Sequence, residues 1–523
     1  MIYNSFIKKR NKNYLIYFFV LIFIAILGRI ISSNIFSLIY GLDEVLSMLL
    51  EFLHPDFSQA GDVFAKLWET ISMAIIGTFL GVSTSIIFSF LTAENLKVFK
   101  PLRRFLNGVL SIMRTIPSLI WAGIFVTLFS IGKFSGFLAL YLIATLMSTK
   151  LVKEYIESIK QNQLDGLLAC GASKIKILFN GVIPRIKGLF ISVFFLCLET
   201  NIRSATILGM VGAGGIGIIL WRDLNFMKYR RVSFIILILI LTIYLIDILS
   251  YVVRKRIKYN NKYNDYDKWK KKKVLSLIFF SILFIIFIYL AVTKVSIGWD
   301  RFLLGVESFK VMMGRMLSPD FSYLPKGLLA LLESMSMALY ATFFGVLIGL
   351  VFAYFAASNF HKNKIFTKIF KLFLNFLRTI PPVIFAVFYF RAVGPGAYSG
   401  TLALLTYTAG TFAKMFYERI EEIGEEEKNK LISCGANGIK NYIFNIIPSR
   451  FSDVMSMALY RMESNIRNSS IVGMIGAGGI GKLLNMQITW RNWERTGVLL
   501  FLVAISTILI DIISRRIRKN LVK

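Results

Sequence analysis

The stretch NIRSATILGMVGAGGIG, from Asn201 to Gly217, ends in six residues that match G-x-G-x-x-G, the glycine pattern of dinucleotide-binding sites. A second copy, NIRNSSIVGMIGAGGIG, runs from Asn465 to Gly481, so the two copies are offset by 264 residues (465 − 201). A dinucleotide site requires this pattern between a β-strand and a helix, with an acidic residue about 20 positions further on. Here the pattern follows an apolar helical run and no strand alternation surrounds it, so the sequence argues against a Rossmann fold.

The same offset relates many other points along the chain. The tetrapeptide Arg114–Pro117, for example, returns as Arg378–Pro381. A register that never slips indicates the tandem duplication of a whole domain rather than a short solenoid repeat. We therefore predict two domains, residues 1–253 and residues 274–523, joined by a basic linker at residues 254–273.

The composition indicates a membrane protein. Of the 523 residues, 56% are apolar, and the mean hydropathy is +0.66. Apolar runs such as Tyr14–Gly28 and Phe234–Val253 can cross, or nearly cross, a hydrocarbon layer of about 30 Å. The first run also has the basic flank of a signal peptide, but an equivalent internal run, Val274–Val292, cannot be one. We therefore expect a retained transmembrane helix at the first run.

The fold class predicted from these runs is an all-α membrane protein with 12 transmembrane helices in two six-helix repeats. Six crossings return the chain to its starting side, so the repeats have parallel orientation about an axis along the membrane normal. The predicted helices of the first half lie near residues 14–32, 69–92, 105–131, 135–150, 187–211 and 233–253. Those of the second half lie near residues 274–293, 333–357, 369–391, 397–413, 451–475 and 497–514.

Lysine and arginine set the predicted orientation. Their clusters lie at both termini, in the linker and in the loops after helices 2 and 4, which all fall on one side of this topology. The positive-inside rule makes that side cytoplasmic, although the basic stretch Trp221–Arg231 falls on the other side. Basic loops beside an anionic lipid leaflet also account for the net charge of +32, so we expect the bilayer and no nucleic acid as partner.

The residues that bind metals and nucleotides are sparse. The three cysteines form no C-x-x-C pair and there are only two histidines, so we predict neither a metal site nor a disulfide framework. The chain contains no G-x-x-x-x-G-K-[ST] sequence, so we do not expect it to bind or hydrolyse ATP.

A long polar loop follows the fourth predicted helix of each half. It resembles the EAA loop of ABC-importer permeases, in which E-A-A-x-x-x-G is followed by I-x-L-P. The resemblance implies a coupling helix that docks into an ATPase subunit. The matching positions are Asp165, Gly171 and Pro184 in the first half and Asn429, Gly435 and Pro448 in the second. The acidic position of the pattern is Asp165 in one half and is uncharged in the other.

Two membrane motifs make the resemblance more specific. The R-T-I-P tetrapeptides and the N-I-R…G-A-G-G-I-G stretches are similar to those of phosphonate-importer permeases, and they recur in both halves. The resemblance implies a type I ABC-importer-like fold, with two permease domains fused in tandem. It also implies the transmembrane subunit of an importer for phosphonate or a related phosphorus oxyanion, in the bacterial cytoplasmic membrane, rather than an enzyme. The implied partners are two copies of a cytoplasmic ATPase, which uses ATP for alternating access, and an external substrate-binding protein.

Arginines inside the predicted membrane helices are candidates for the substrate path. An arginine near the bilayer centre costs about 2.5–3.5 kcal/mol, so such residues face a bundle interior or a watery route. Arg114 and Arg378 have no acidic residue one helical turn away, which leaves an anion path or a structural bond to the backbone or to a neighbouring helix. A guanidinium group matches the oxygens of a phosphate-like anion.

Arg203 and Arg467 each follow a glutamate by one turn, so a structural pair with Glu199 or Glu463 is the alternative to a path role. The predicted path residues are Arg114, Thr115, Arg378, Thr379, Asn201, Arg203, Asn465 and Arg467.

The glycine motif has two interpretations. Glycines permit positive φ and close backbone approach, so the motif either breaks a helix and packs it tightly or forms an external gate. The residues concerned are Gly212, Gly214, Gly215, Gly217, Gly476, Gly478, Gly479 and Gly481.

Two other functions remain open from the sequence. One is an ABC-importer permease for another solute, such as methionine or a quaternary amine, although an amine site would favour an aromatic cage over arginines. The other is an ion-coupled secondary transporter, which should carry unpaired intramembrane acids. Asp247 and Asp511 fit that function weakly, because they lie near the ends of the sixth helices.

Overall fold

The structure is a computed structural model that describes residues 22–96, 99–159, 183–259, 289, 293, 298–361, 363–424 and 435–521. Within these ranges the chain is helical, with no β-strand. Several predicted features lie outside them: residues 14–21 of the first predicted helix, nearly all of the helix near 274–293, most of the linker, and Asp165, Gly171 and Asn429.

Helices in the first half begin with a helical segment at residues 22–30. The next are α1 (Ile35–Tyr40), α2 (Leu42–Phe52), α3 (Ala60–Thr92), α4 (Lys100–Thr115), α5 (Ser118–Phe129), α6 (Lys133–Ser158), α7 (Ile183–Gly209), α8 (Ile216–Asn225) and α9 (Tyr229–Tyr259). The second half contains α10 (Trp299–Met316), a 3₁₀ turn (Phe321–Tyr323), α11 (Leu324–Ala356), α12 (Lys364–Thr379), α13 (Pro382–Val393), α14 (Ala397–Glu421), α15 (Gly438–Asn441), a π-helix (Tyr442–Ile446), α16 (Ile447–Ser449), α17 (Phe451–Met474), α18 (Gly479–Thr489) and α19 (Trp493–Leu521).

Membrane-spanning length and apolarity recur along the described chain. Six of its helices are long and apolar enough to cross a membrane, and three bent helix pairs bring the number to as many as nine. The described helices coincide with the predictions near 69–92, 135–150, 187–211 and 233–253 and with their second-half counterparts. The helix predicted near 397–413 is present as α14 but falls outside the set of spans.

The third predicted helix of each half is not continuous, and this corrects the sequence-based expectation. The axes of α4 and α5 differ by 93°, and those of α12 and α13 by 90°. The break falls at the R-T-I-P motif, where Ile116 and Ile380 are extended, with ψ of 121°. Proline disfavours the helical conformation in the residue before it and removes a backbone donor, so the chain turns instead of bending gently.

The chain forms two compact units that exchange segments of the two halves. We call residues Leu50–Arg315 the N-unit, and Met1–Leu49 together with Met316–Lys523 the C-unit. In the C-unit, Arg391 of α13 pairs with Glu44 of α2 at 3.0 Å. In the N-unit, Phe302 of α10 stacks on Phe129 of α5, with ring centroids 6.1 Å apart. The domain boundaries drawn from the sequence repeat describe the duplication and stay a prediction.

Candidate substrate path and coupling elements

The break in the third helix fixes the surroundings of the two R-T-I-P arginines. Arg114 lies in the last turn of α4, where Nε donates to the Leu110 carbonyl at 3.3 Å and an Nη donates to the Ser111 hydroxyl at 3.0 Å. Arg378 occupies the same place in α12, but its Nε is buried and has no hydrogen-bond partner among the described residues. A cation is favourable at the C-terminal end of a helix, where carbonyl groups are left unpaired. The two arginines therefore differ at Nε, which is hydrogen-bonded in Arg114 and has no partner among the described residues in Arg378.

The threonines that follow these arginines already use their hydroxyl protons. Thr115 donates to the Ile112 carbonyl at 2.6 Å, and Thr379 donates to the Asn375 carbonyl at 2.8 Å. Each hydroxyl oxygen is therefore available as an acceptor, whereas the predicted role as a donor to an anion would require this bond to open.

Two asparagines of the N-I-R motif lie inside the helix packing. Asn201 is 1% exposed and donates to the Thr78 hydroxyl at 2.9 Å and to the Leu140 carbonyl at 3.3 Å. Asn465 is fully buried and donates to the hydroxyls of Thr342 and Thr408 at 2.9 and 2.8 Å. Each amide thus joins three helices of its own unit, and the geometry favours a structural role over a place on the predicted path.

The arginines of the two N-I-R motifs, Arg203 in α7 and Arg467 in α17, have different surroundings. Arg203 pairs with Glu199 within α7, as the one-turn spacing predicted for the structural alternative. The matching pair in the second half does not form, because Glu463 accepts from an Nη of Arg518 at 2.9 Å. Arg518 reaches Glu463 from α19, which leaves Arg467 partly exposed and without an ion pair among the described residues. The i,i+4 alternative is therefore right for the first half and wrong for the second.

The glycine motif ends α7 in one half and α17 in the other, and it holds the following short helix, α8 or α18, against them. Six of its glycines have φ between 64° and 110°, a region that L-residues rarely occupy: Gly212, Gly214, Gly215, Gly476, Gly478 and Gly479. The last glycine of each copy packs against the preceding helix. A Cβ on Gly217 would lie 2.0 Å from the Thr206 carbonyl oxygen, and one on Gly481 would lie 2.0 Å from that of Ser470. This geometry supports close packing, and the gate stays a prediction.

Hydroxyl groups on neighbouring helices complete the turn. The backbone N–H of Ile216 donates to Thr70 at 2.7 Å, and that of Ile480 donates to Ser334 at 2.9 Å. These contacts satisfy backbone donors at the start of α8 and α18, where no helical carbonyl is available. The glycine stretch is thereby tied to α3 in the N-unit and to α11 in the C-unit.

The second coupling loop is described from Gly435 onward. Gly435 has a φ of +81°, and no atom of the described residues lies within 4 Å of a Cβ built there. The Asn437 side chain caps α15 by accepting from the backbone of Lys440 at 2.9 Å. The following turn is a π-helix that ends beside Pro448, which offers no N–H to the helical ladder. Tyr442 anchors this turn, because it is 4% exposed and its hydroxyl donates to the Leu350 carbonyl at 2.7 Å.

A family model described as "Binding-protein-dependent transport system inner membrane component" matches residues 85–259 and again residues 345–523. The chain belongs to this family. It is therefore a multi-pass membrane permease subunit of a transporter and not an enzyme, and the prediction of two permease domains in tandem, with a type I importer fold, is confirmed. Membership also argues against the ion-coupled secondary transporter.

Relatives of the permease extend over one or both halves. The phosphate-import permease protein PhnE of Mycolicibacterium smegmatis is 26% identical over 488 residues, covering 93% of this chain and 91% of that protein. The phosphite transport system permease protein PtxC of Stutzerimonas stutzeri is 34% identical over 226 residues, covering 42% of this chain and 81% of that protein. A solved inward-facing MetNI methionine ABC transporter has a TM-score of 0.33 and 20% identity, covering 37% of this chain and 95% of that chain.

The basic stretch that departs from the positive-inside pattern is partly neutralised in the permease. Arg231 pairs with Asp56 at 3.2 Å, and the repeat places Arg495 on Asp320 at 3.0 Å in the other unit. The backbone and hydroxyl of Ser58, followed by Arg231, lower the pKa of Asp56. The same carboxylate–arginine contact therefore closes the same loop in both halves.

One buried cation of the permease was missed in the sequence reasoning. Arg461 of α17 is 5% exposed, and its Nε and one Nη have no hydrogen-bond partner among the described residues. Its guanidinium carbon lies 5.1 Å from the ring centroid of Tyr407. The position escapes a search for repeated motifs, because the first half has Cys197 there (461 − 264). A residue-by-residue comparison of the halves would have revealed it.

The contacts of Arg461 do not offset the cost of its burial. An intramembrane arginine costs about 2.5–3.5 kcal/mol on insertion scales. Each buried donor left unpaired costs about 1–3 kcal/mol more. A cation–π contact contributes only about 0.5–2 kcal/mol. The described residues supply no carboxylate partner for this guanidinium, so the site is short of negative charge and of acceptor oxygens.

Proposed function

We propose that the permease carries a phosphorus oxyanion, such as a phosphonate, phosphite or phosphate, into the cell. The observation that carries the proposal is the repeated arginine at a right-angled helix break, Arg114 and Arg378, in a chain whose relatives are named for phosphate and phosphite transport. Guanidinium groups bind such oxyanions through paired hydrogen bonds. Arg378, whose buried Nε has no hydrogen-bond partner among the described residues, suits an anion better than methionine or a quaternary amine.

The helix break adds backbone donors to the proposed route. After the R-T-I-P motif, the N–H groups of Ser118 and Leu119 begin α5 and that of Val383 begins α13, where Pro382 offers no N–H, and these groups have no preceding helical carbonyl to bond. Helix N-termini bind anions, and broken helices in transporters commonly direct such ends toward anionic substrates. In this proposal Arg114 contacts the anion within the N-unit, Arg378 and Arg467 contact it within the C-unit, and Asn201, Asn465 and Arg203 hold the helices of their own units.

Energy for transport comes, in this proposal, from two copies of a separate cytoplasmic ATPase, and the chain itself binds no cofactor. The coupling helix of the second half exposes apolar side chains, with Ile439, Ile443 and Phe444 between 47% and 71% exposed. Such a patch suits a hydrophobic groove on a partner protein. An external binding protein would deliver the anion, and both termini would be cytoplasmic, as the lysine and arginine distribution favours.

Uptake of a labelled phosphonate into proteoliposomes that contain the permease with its ATPase and binding protein tests the proposal. We expect Arg378→Ala to lower the rate by about tenfold or more, because a charge-assisted bond to the anion is lost. Arg378→Lys should lower it less, since the charge remains but the planar fork is lost. Arg315→Ala is the control, because this exposed arginine ends α10.

Normal uptake by Arg114→Ala and Arg378→Ala, at normal membrane abundance, would contradict the proposed route. Uptake of methionine or a quaternary amine in preference to every phosphorus oxyanion would contradict the proposed substrate class.

A further inference from the structure

We infer that Arg461 and Tyr407 form a phosphorus-oxyanion subsite that exists only in the C-unit, so that the two halves of the permease handle the anion unequally. The inference rests on the proposed function for the class of anion. Both residues belong to the same compact unit, on α17 and α14.

The guanidinium of Arg461 has two buried donors that an anion could bond. Tyr407 covers one side at 5.1 Å and is itself only partly buried, while Nε and one Nη of Arg461 are buried with no acceptor among the described residues. These two N–H groups belong to one planar fork, which matches two oxygens of a tetrahedral phosphorus oxyanion. A monovalent halide would satisfy only part of this fork.

The local charge also favours an anion. Arg467 lies close enough to Arg461 for their like charges to interact. The carboxylate nearest in sequence, Glu463, is already bonded to Arg518. Two neighbouring cations whose intervening carboxylate, Glu463, is bonded to a third cation attract a negatively charged ligand.

The first half provides an internal comparison. With the offset of 264 residues, Ile143 is the first-half equivalent of Tyr407, and Cys197 is the equivalent of Arg461. Cys197 is 1% exposed and packs in an apolar cluster with Val193. The fold therefore accommodates an apolar pair at these two positions, and the cation with its tyrosine is a change confined to the second half. Packing alone does not require an arginine here.

The double variant Tyr407→Ile with Arg461→Cys converts the second-half pair into that of the first half. Because the first half already packs this pair, we expect the variant to fold with a melting temperature at least equal to that of the parental chain. The permease, assembled with its partners in lipid-free detergent, is heated with increasing inorganic phosphate or methylphosphonate. The parental assembly should be stabilised saturably, since a ligand that binds only the folded state raises the melting temperature. The double variant should lose this response, and Arg461→Lys should keep part of it.

Uptake provides the second readout. With the binding protein in place, we expect the double variant to lower the maximal rate of phosphonate uptake by about tenfold or more, the loss expected for one charge-assisted hydrogen bond. The substrate concentration at half-maximal rate should change little, because the external protein sets it.

Three results would overturn the subsite. They are a double variant that responds to phosphate like its parent, a parent that responds to neither soluble anion, and a parent that is stabilised only by phosphatidylglycerol in nanodiscs. In each case, phosphonate uptake by the parental assembly would leave the proposed function intact. Absence of uptake of any phosphorus oxyanion by the parental assembly would instead refute the proposed function itself.

Discussion

The substitution Gly481→Ala separates the two interpretations of the glycine motif. An alanine Cβ would lie 2.0 Å from the Ser470 carbonyl oxygen, and side-chain contacts of this kind are not found below 3.0 Å. The backbone of α18 must therefore move from α17 by at least 1.0 Å (3.0 − 2.0), against a carbonyl that cannot rotate away. Overpacking of this kind costs about 1–3 kcal/mol. At about 2–4 °C per kcal/mol, the melting temperature should fall by roughly 2–12 °C.

The assay is thermal unfolding of the purified permease in detergent, with membrane abundance measured in parallel. Gly108→Ala is the matched control, because Gly108 lies within α4 and no atom of the described part of the chain lies within 4 Å of an added Cβ. This control should be neutral or slightly stabilising, since alanine favours helix over glycine. Gly217→Ala, with the same 2.0 Å contact in the first half, should behave like Gly481→Ala. An unchanged melting temperature with altered uptake would refute the packing interpretation and support the gate.

Three further predictions concern the second half. Asn465→Ala should destabilise the permease by about 1–3 kcal/mol, because the buried Thr408 hydroxyl loses its partner and the Thr342 hydroxyl loses a donor. A melting temperature equal to that of the parental chain would contradict this. Gly435→Val should reduce the coupling of ATP hydrolysis to uptake, since a β-branched residue at a φ of +81° is strained by about 1–3 kcal/mol. The control Gly424→Val, at a position with ordinary φ, should be tolerated. Equal ATP hydrolysis per transported anion in both variants would rule this prediction out. The pKa of Asp320 is lowered in the folded chain, so the ionised carboxylate stabilises the fold above its unfolded-state pKa near 3.9. This stabilisation is lost as the pH falls through the folded-state pKa. Melting temperatures measured from pH 6 to pH 3 should therefore drop less for Asp320→Asn than for the parental chain.

The parts of the fold that could be predicted are those that depend on local sequence. Apolar runs and an unbroken repeat register predicted the helices of both halves, because membrane insertion depends on local composition. The right angle at Pro117 and Pro381 interrupts the single helices predicted near 105–131 and 369–391, since proline marks where a helix is interrupted but not the direction of the next one.

The candidate site was less predictable because its partners are distant in sequence. The i,i+4 spacing predicted the Glu199–Arg203 pair, but the partner of Glu463 comes from Arg518, 55 residues further on. Arg461 carries no motif at all, and its importance comes from burial, which local sequence does not specify. The comparison with Cys197 shows that an internal repeat can still reveal such a position, through the difference between its copies.

The exchanged segments also determine when each unit can be completed during synthesis. Residues 22–49 belong to the C-unit, yet the next residue of that unit is Met316, so 266 residues (316 − 49 − 1) are made in between. The N-unit, by contrast, is uninterrupted from Leu50 to Arg315 and can complete its core first. Contacts between segments so far apart in sequence form slowly, and the waiting helix leaves apolar surface exposed meanwhile. A ribosome pause after Arg315 should therefore leave a membrane intermediate in which the N-unit resists protease while residues 22–49 are still cleavable.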